Sequence, residues 1–218
     1  MKSIKVKVLA FAAASILVAS CAKEKDGYDK NLTRSAWKIA SGSIVSEDIV
    51  KRDYSDGTDN TTNTQRNTVT LTASTFVSED YELDTEVGSP DFFQKETYNY
   101  DMTSNIAFNE DGTVTSDFVQ TLKSVTTEST GNPATTVTVT VPPATQSSTG
   151  YWSWKNNTDQ KAYLDFAFAN IGSWVVESIN KNDLVLVINT TSTSITKPSS
   201  AETRTEISTT TAKITLNH

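Results

Sequence analysis

Cysteine is almost missing from this chain: Cys21 is the single one in 218 residues. One thiol excludes an intrachain disulfide and a thiolate metal cluster, so stability has to come from packing. Histidine is as scarce. The only one, His218, is the last residue, where fraying is expected, so a Ser-His-Asp arrangement would hang on a terminal side chain. No glycine-rich phosphate loop occurs. Basic charge is also short, since 19 Lys and Arg stand against 26 Asp and Glu, for a net charge of −7 and a pI near 4.8. That removes the positive footprint a nucleic-acid binder needs. These absences argue against an enzyme, against a cofactor and against a nucleic-acid partner. What is abundant is threonine and serine, and threonine suits exposed strand faces because it is β-branched yet tolerates water. The length fits one all-β domain.

Long apolar runs are absent too, with one exception at the start. Lys2, Lys5 and Lys7 precede an apolar stretch over residues 8–19 that only Ser15 interrupts. It is shorter than the roughly 20 residues a spanning helix needs and fits a secretory h-region. It ends at Leu17-Val18-Ala19-Ser20-Cys21, which resembles the lipobox of bacterial lipoproteins. The resemblance implies that residues 1–20 are a lipoprotein signal peptide and that Cys21 is the lipid attachment atom, carrying the acyl chains that hold the protein to a membrane. Two or more chains make such anchoring stable where one is marginal. Losing the three leader lysines would take the net charge from −7 to −10. Residues 21–30 are polar and expected to be a flexible tether. Charged residues beside an acylated cysteine are similar to the export signal of Bacteroidetes lipoproteins, which implies the outer membrane, with display at the cell surface or at the periplasmic face.

From residue 31 onward the pattern is that of strands and turns. A short helical turn over 31–37 leads to a strand with Trp37 and Ile39 on one face. Residues 46–67 read as a polar loop, with one helical turn at 47–52 and with Asp53, Asp56, Gly57 and Asp59 close together. Those aspartates lack the spacing and the closing glutamate of a calcium loop, so no metal is expected. Residues 67–77 alternate as a half-buried strand with Val69, Leu71, Ala73 and Val77 on one face, and 79–86 read as a solvated acidic loop. Tyr98, Tyr100, Met102, Ile106 and Phe108 share one parity, and Asp111-Gly112 supplies a tight hairpin into Val114, Phe118 and Leu122. Gly131-Asn132-Pro133 is a second turn, after which Val137, Val139 and Val141 alternate with threonine in a strand suited to an edge.

Beyond it, Trp152 and Trp154 fall on one face of a strand and Ala162, Leu164, Phe166 and Phe168 on one face of the next. Trp174 and Val176 follow, then residues 184–188, apolar on both faces. In the final segment Ile214 and Leu216 share parity with Glu202, Arg204 and Glu206, so either the charged part leaves the core or a bulge shifts the register.

Trp37, Phe108 with Asp111 to Val114, Gly150 to Trp152 and Trp174 to Leu186 together resemble the lipocalin-like lipoproteins of the Bacteroidetes. The resemblance implies an antiparallel up-and-down β-barrel of about eight strands over residues 31–218, with an added hairpin around 126–141. The interior of such a barrel either is filled by side chains or holds one small ligand. Its first-strand motif here is Ser35-Ala36-Trp37, without the glycine of lipocalins proper.

The candidate ligand-binding residues are the aromatic ones, Trp152, Trp154, Tyr98, Tyr100, Phe166 and Trp174, and aromatic strand residues are also the usual stuff of a core. Two functions from different classes follow. One is a lipid-anchored carrier or sensor of a small apolar ligand, with a cavity of about 300–1,000 Å³. The other is a surface module binding glycan or protein without an internal ligand. The direction in which Trp152 and Trp154 point separates them.

Overall fold

The computed structural model describes residues 28–57, 59–156, 162–168 and 171–218. The leader, Cys21 and most of the expected tether lie outside them. A short helix, α1 (Tyr28–Leu32), sits where the tether was expected to end, and twelve strands follow: β1 (Lys38–Tyr54), β2 (Thr61–Thr72), β3 (Thr75–Glu86), β4 (Phe92–Phe108), β5 (Thr113–Ser129), β6 (Asn132–Thr138), β7 (Ala144–Tyr151), β8 (Ser153–Asn156), β9 (Ala162–Phe168), β10 (Ile171–Ile179), β11 (Asp183–Thr196) and β12 (Glu202–Asn217).

All twelve belong to one antiparallel sheet in the order β6-β5-β4-β3-β2-β1-β12-β11-β10-β9-β8, with β7 paired to β5 beside β6. Short turns join neighbours, as a meander requires. Gly57, Gly88, Gly112 and Gly131 take the positive φ angles of four of those turns. β5 is shared lengthwise, its residues 124–129 pairing with β6 and 113–120 with β7. β7 and β8 stand near opposite ends of the strand order, yet Trp152 alone separates them in the chain. The two ends of the sheet therefore meet through the covalent backbone. Among the described residues the hydrogen-bond ladder itself is not closed into a barrel.

The core occupies one end of this sheet. Leu32, Trp37, Leu164, Trp174 and Leu184 are fully buried, with Ile39, Phe108, Phe118, Ile214 and Leu216 nearly so. Burying each such side chain is worth about 1.5–3 kcal/mol. Trp37 anchors the base: its backbone exchanges hydrogen bonds with Ile106 (2.7 and 2.8 Å) and its indole N–H donates to the Leu32 carbonyl (2.8 Å). β1 can lie close to its neighbours there because Gly42 has no side chain. A Cβ at that position would come within 3.2 Å of Ile214 Cγ1 and of the Lys213 carbonyl oxygen.

The outer halves of the same strands have a different character. On β12, Ala212, Ile214 and Leu216 are buried while 202–210 are mostly half-buried, and the pairing with β11 runs without a break from Asp183↔Asn217 to Thr196↔Arg204. The charged segment has therefore left the core with no bulge in that ladder. Two readings are corrected by the same observation. Residues 46–54 and 61–67 are not a loop with a helical turn but the paired outer halves of β1 and β2. Residues 79–86 are not an acidic loop but the outer half of β3, between β2 and β4. Polar side chains on both faces do not prevent a strand when neighbours on either side satisfy its N–H and C=O groups.

The expected single strand over 67–77 is a hairpin turning at Ala73-Ser74, and the turn reverses which parity points inward. Phe76 and Ser78 are buried, and Val77 is not. The expectation of about eight strands falls short for these reasons. The added hairpin is present as β5–β6. His218, expected to fray, is tied down: its ring stacks on Trp37 at 3.9 Å between centroids, and its Nδ1 lies 2.7 Å from Ser35 Oγ.

Candidate functional site

The indoles of Trp152 and Trp154 turn toward the core. Both are half-buried and packed against it, and they meet edge to face with centroids 6.1 Å apart at 83°. Trp152 lies in the break between β7 and β8, not within one strand as its alternation suggested. There its N–H donates to the Gly112 carbonyl (2.9 Å) and its indole N–H to the Asn109 carbonyl (2.9 Å). The β4–β5 hairpin thus serves as its seat. Phe108, at the end of β4, meets the Trp152 ring edge to face at 6.2 Å. Such aromatic pairs add about 0.5–1.5 kcal/mol each beyond their buried area.

Cross-strand pairing extends the group. Trp154 is opposite Leu164 and Leu164 is opposite Trp174, so these three form one row across β8, β9 and β10. Leu164 and Trp174 are fully enclosed. Trp174 is therefore a wall of the core behind Trp154, not a surface open to a ligand. The Phe166 side chain lies outside the described residues, as does Cys21.

Tyr98 and Tyr100 are elsewhere. They lie on β4 eight to ten residues before Phe108, which is about 25–35 Å of strand at roughly 3.3 Å per residue. The six aromatic candidates therefore do not form one site. Tyr100 packs on Phe76 with centroids 5.2 Å apart. Tyr98 is 5% exposed and its hydroxyl donates to Glu96 Oε2 at 2.6 Å. Burial, helped by that bond and by the Glu96 and Asp80 carboxylates, raises the Tyr98 phenol well above its usual range. Burial and then Asp80 raise Tyr100 as well.

Tyr98 marks the line where the apolar core gives way to polar rows. One step outward, Thr210, Ser46, Asn67, Asp80 and Glu96 are successive cross-strand partners, and Ser208, Asp48, Gln65, Glu82 and Gln94 follow in the next row. Amide–carboxylate bonds knit these rows and the one beyond them: Asn67 to Asp80 (2.6 Å), Gln65 to Glu82 (3.3 Å) and, in the third row, Asn63 to Asp84 (2.5 Å). On the reverse face Lys95 pairs with Glu79 (2.7 Å), and the Arg66 guanidinium lies 5.0 Å from the Tyr81 ring centroid. Sequence reading missed these rows because it treated 46–67 and 79–86 as loops. The alternation of Asn63, Gln65 and Asn67 with threonine and arginine was the available signal.

Among the described residues no group of three or more His, Cys, Asp and Glu side chains is placed to hold a metal, and no helix is long and apolar enough to cross a membrane. No protein-family model matches the chain, and a search of curated proteins returns no match.

Proposed function

We propose that this chain is a lipid-anchored outer-membrane lipoprotein whose lipocalin-like barrel binds a small apolar ligand against Trp152 and Trp154. The observation that carries this reading is the inward orientation of the two indoles, which stay half-buried while Trp174 and Leu164 behind them are fully enclosed. An aromatic platform for a glycan would turn those rings to solvent. The covalent link from β7 to β8 supports the barrel, since it brings the edges of β5 and β9 together at Trp152. The lipobox-like Leu17-Val18-Ala19-Ser20-Cys21 supports the anchor.

The ligand expected is one with a flat apolar body that covers an aromatic pair. It needs few hydrogen bonds, because the Trp152 indole N–H is already given to Asn109. Native mass spectrometry of the untagged protein tests this reading. A co-purified small molecule that is lost in Trp154→Ala while the fold is retained is the expected result. A protein that carries no small molecule, and whose tryptophan fluorescence responds to no apolar compound, would contradict it.

The second reading, a glycan- or protein-binding surface, draws on a different observation. The rows built from Asn63, Gln65, Asn67, Asp80, Glu82 and Asp84 present amides and carboxylates of the kind that bind sugar hydroxyls. Loss of glycan binding on Gln65→Ala with Trp154→Ala unaffected would favour it.

A further inference from the structure

One stretch of the surface carries no charge at all. Between Glu128 and Lys155 there is no Asp, Glu, Lys or Arg, and β6 lies within this interval. β6 is an edge strand bonded on one side to β5, and every one of its residues is exposed. Val137 is 55% exposed and Val141, just past the strand, is 39% exposed. Edge strands are ordinarily guarded by lysine, by inward charges or by a bulge, because an open row of N–H and C=O groups is a template for another strand. This edge is guarded only at its start, by Pro133 and by a register shift between the Thr127↔Thr135 and Ser129↔Asn132 pairs; beyond it Thr135-Thr136-Val137-Thr138 pairs regularly, carries no charge and is high in β-propensity.

The β5–β6 ladder fixes which groups are open. Val139 N–H donates to the Lys123 carbonyl (2.8 Å), and Ser124 pairs with Thr138. Antiparallel alternation then points the backbone of Val137 and Thr135 toward β5 and that of Thr136 and Thr138 outward.

We propose that β6 is a two-fold interface between two copies of this chain, an antiparallel β6–β6 ladder centred on Val137 that joins the two sheets into one. With the axis at Val137, Thr136 of one copy is opposite Thr138 of the other, so the outward N–H and C=O groups of both satisfy each other. The two Val137 side chains then face each other in the close, non-hydrogen-bonded position. Charge selects the same place. Two copies at net −7 repel, and an uncharged edge is where they approach at least cost.

Among the described residues the other open edges are β7, β8 and the outer half of β11, where Asn189, Thr191, Thr193 and Ile195 lie beyond the pairing with β10. Joining β6 to β11 of another copy would propagate without limit. A β6–β6 pair closes after two copies, as isologous interfaces do.

Disulfide trapping of the full chain in its membrane tests the interface. In a non-hydrogen-bonded antiparallel pair the Cα atoms are about 4.5 Å apart, within reach of a disulfide. Val137→Cys with an added mild oxidant is expected to give a cross-linked dimer whose linked peptide maps to position 137 on both sides, distinct from any link through Cys21. Thr193→Cys on β11 is expected to stay unlinked. Thr136→Pro removes one outward N–H and the hydroxyl bond to Thr126 (2.8 Å) but leaves the backbone ladder with β5 intact, so added to Val137→Cys it is expected to reduce the cross-link to background without changing the circular dichroism. Sedimentation equilibrium should give twice the mass that mass spectrometry finds for the denatured protein. A monomer at every concentration, a cross-link indifferent to Thr136→Pro, or a 137–193 link in the double cysteine variant would each overturn the proposal.

Discussion

On β12, Ile214 is 1% exposed between its partners Gly42 and Leu186, whereas Thr210, four residues back on the same face of the strand, is only half-buried between Ser46 and Thr190. Both residues sit in one uninterrupted ladder with β11, and their backbones are bonded alike. The difference lies in what the side chains meet. Inner residues pack on Trp37, Phe108 and Trp174. Outer ones meet threonine, amides and carboxylates, whose hydrogen bonds and ion pairs are exposed to water and worth about 0–1 kcal/mol apiece. A long strand in this protein is thus two materials joined end to end, a hydrophobic one that provides stability and a polar one that extends the surface. Strand length and core size are therefore set separately, the first by backbone pairing and the second by side chains.

The largest effect is expected at Trp37, the anchor of the inner half. Trp37→Ala removes a fully buried ring, its indole bond to Leu32 and its stacking on His218, and should cost about 3–5 kcal/mol in chemical denaturation. A pair of substitutions on β12 comes next. Ile214→Ala is expected to cost about 2–5 kcal/mol and Thr210→Ala, on the same face in the outer half, less than about 1 kcal/mol. Equal losses from the two would mean that the outer half contributes packing after all.

Smaller effects probe the boundary and the hairpin. Because the Tyr98 and Tyr100 phenols are raised in the folded state, their contribution is complete below the unfolded value of about 10. Above it the unfolded chain ionises first, so stability should fall as pH rises through that point. Tyr98→Phe should lessen the fall, as read from denaturation midpoints on either side of it. At the other end of β4, the Thr113 hydroxyl and then its N–H hold the Asp111 carboxyl below its usual range. The small stability this adds is present above the ordinary carboxylate value and is lost as pH falls toward the folded one. An NMR titration of Asp111 should show the depressed midpoint, and Thr113→Ala should bring it back up.

Much of the inner half was legible in the sequence, because one-sided burial leaves a period of two. Met102, Ile106 and Phe108 on β4, Val114, Phe118 and Leu122 on β5, and the Asp111-Gly112 turn between them all lie where alternation puts them. The outer half was not legible for the converse reason. Residues 79–86, five carboxylates among eight with only Tyr81 and Leu83 apolar, have nearly the composition of a loop, and their partners on β2 and β4 make them a strand. The Ala73-Ser74 turn was missed because alanine and serine carry no turn signal of the strength of Asn-Gly or Asp-Gly. Of the candidate site, the common orientation of Trp152 and Trp154 could be read from spacing. The separation of Tyr98 and Tyr100 from them could not, since parity assigns a face and says nothing of height along the sheet.

Amide hydrogen exchange along β12 tests the two-material description most directly, since sheet pairing is the same throughout that strand and only side-chain burial changes. Slow exchange at 212–216, governed by global unfolding, together with markedly faster exchange at 203–210 through opening of the outer half alone, is the result expected. Uniform protection from 203 to 216 would contradict it.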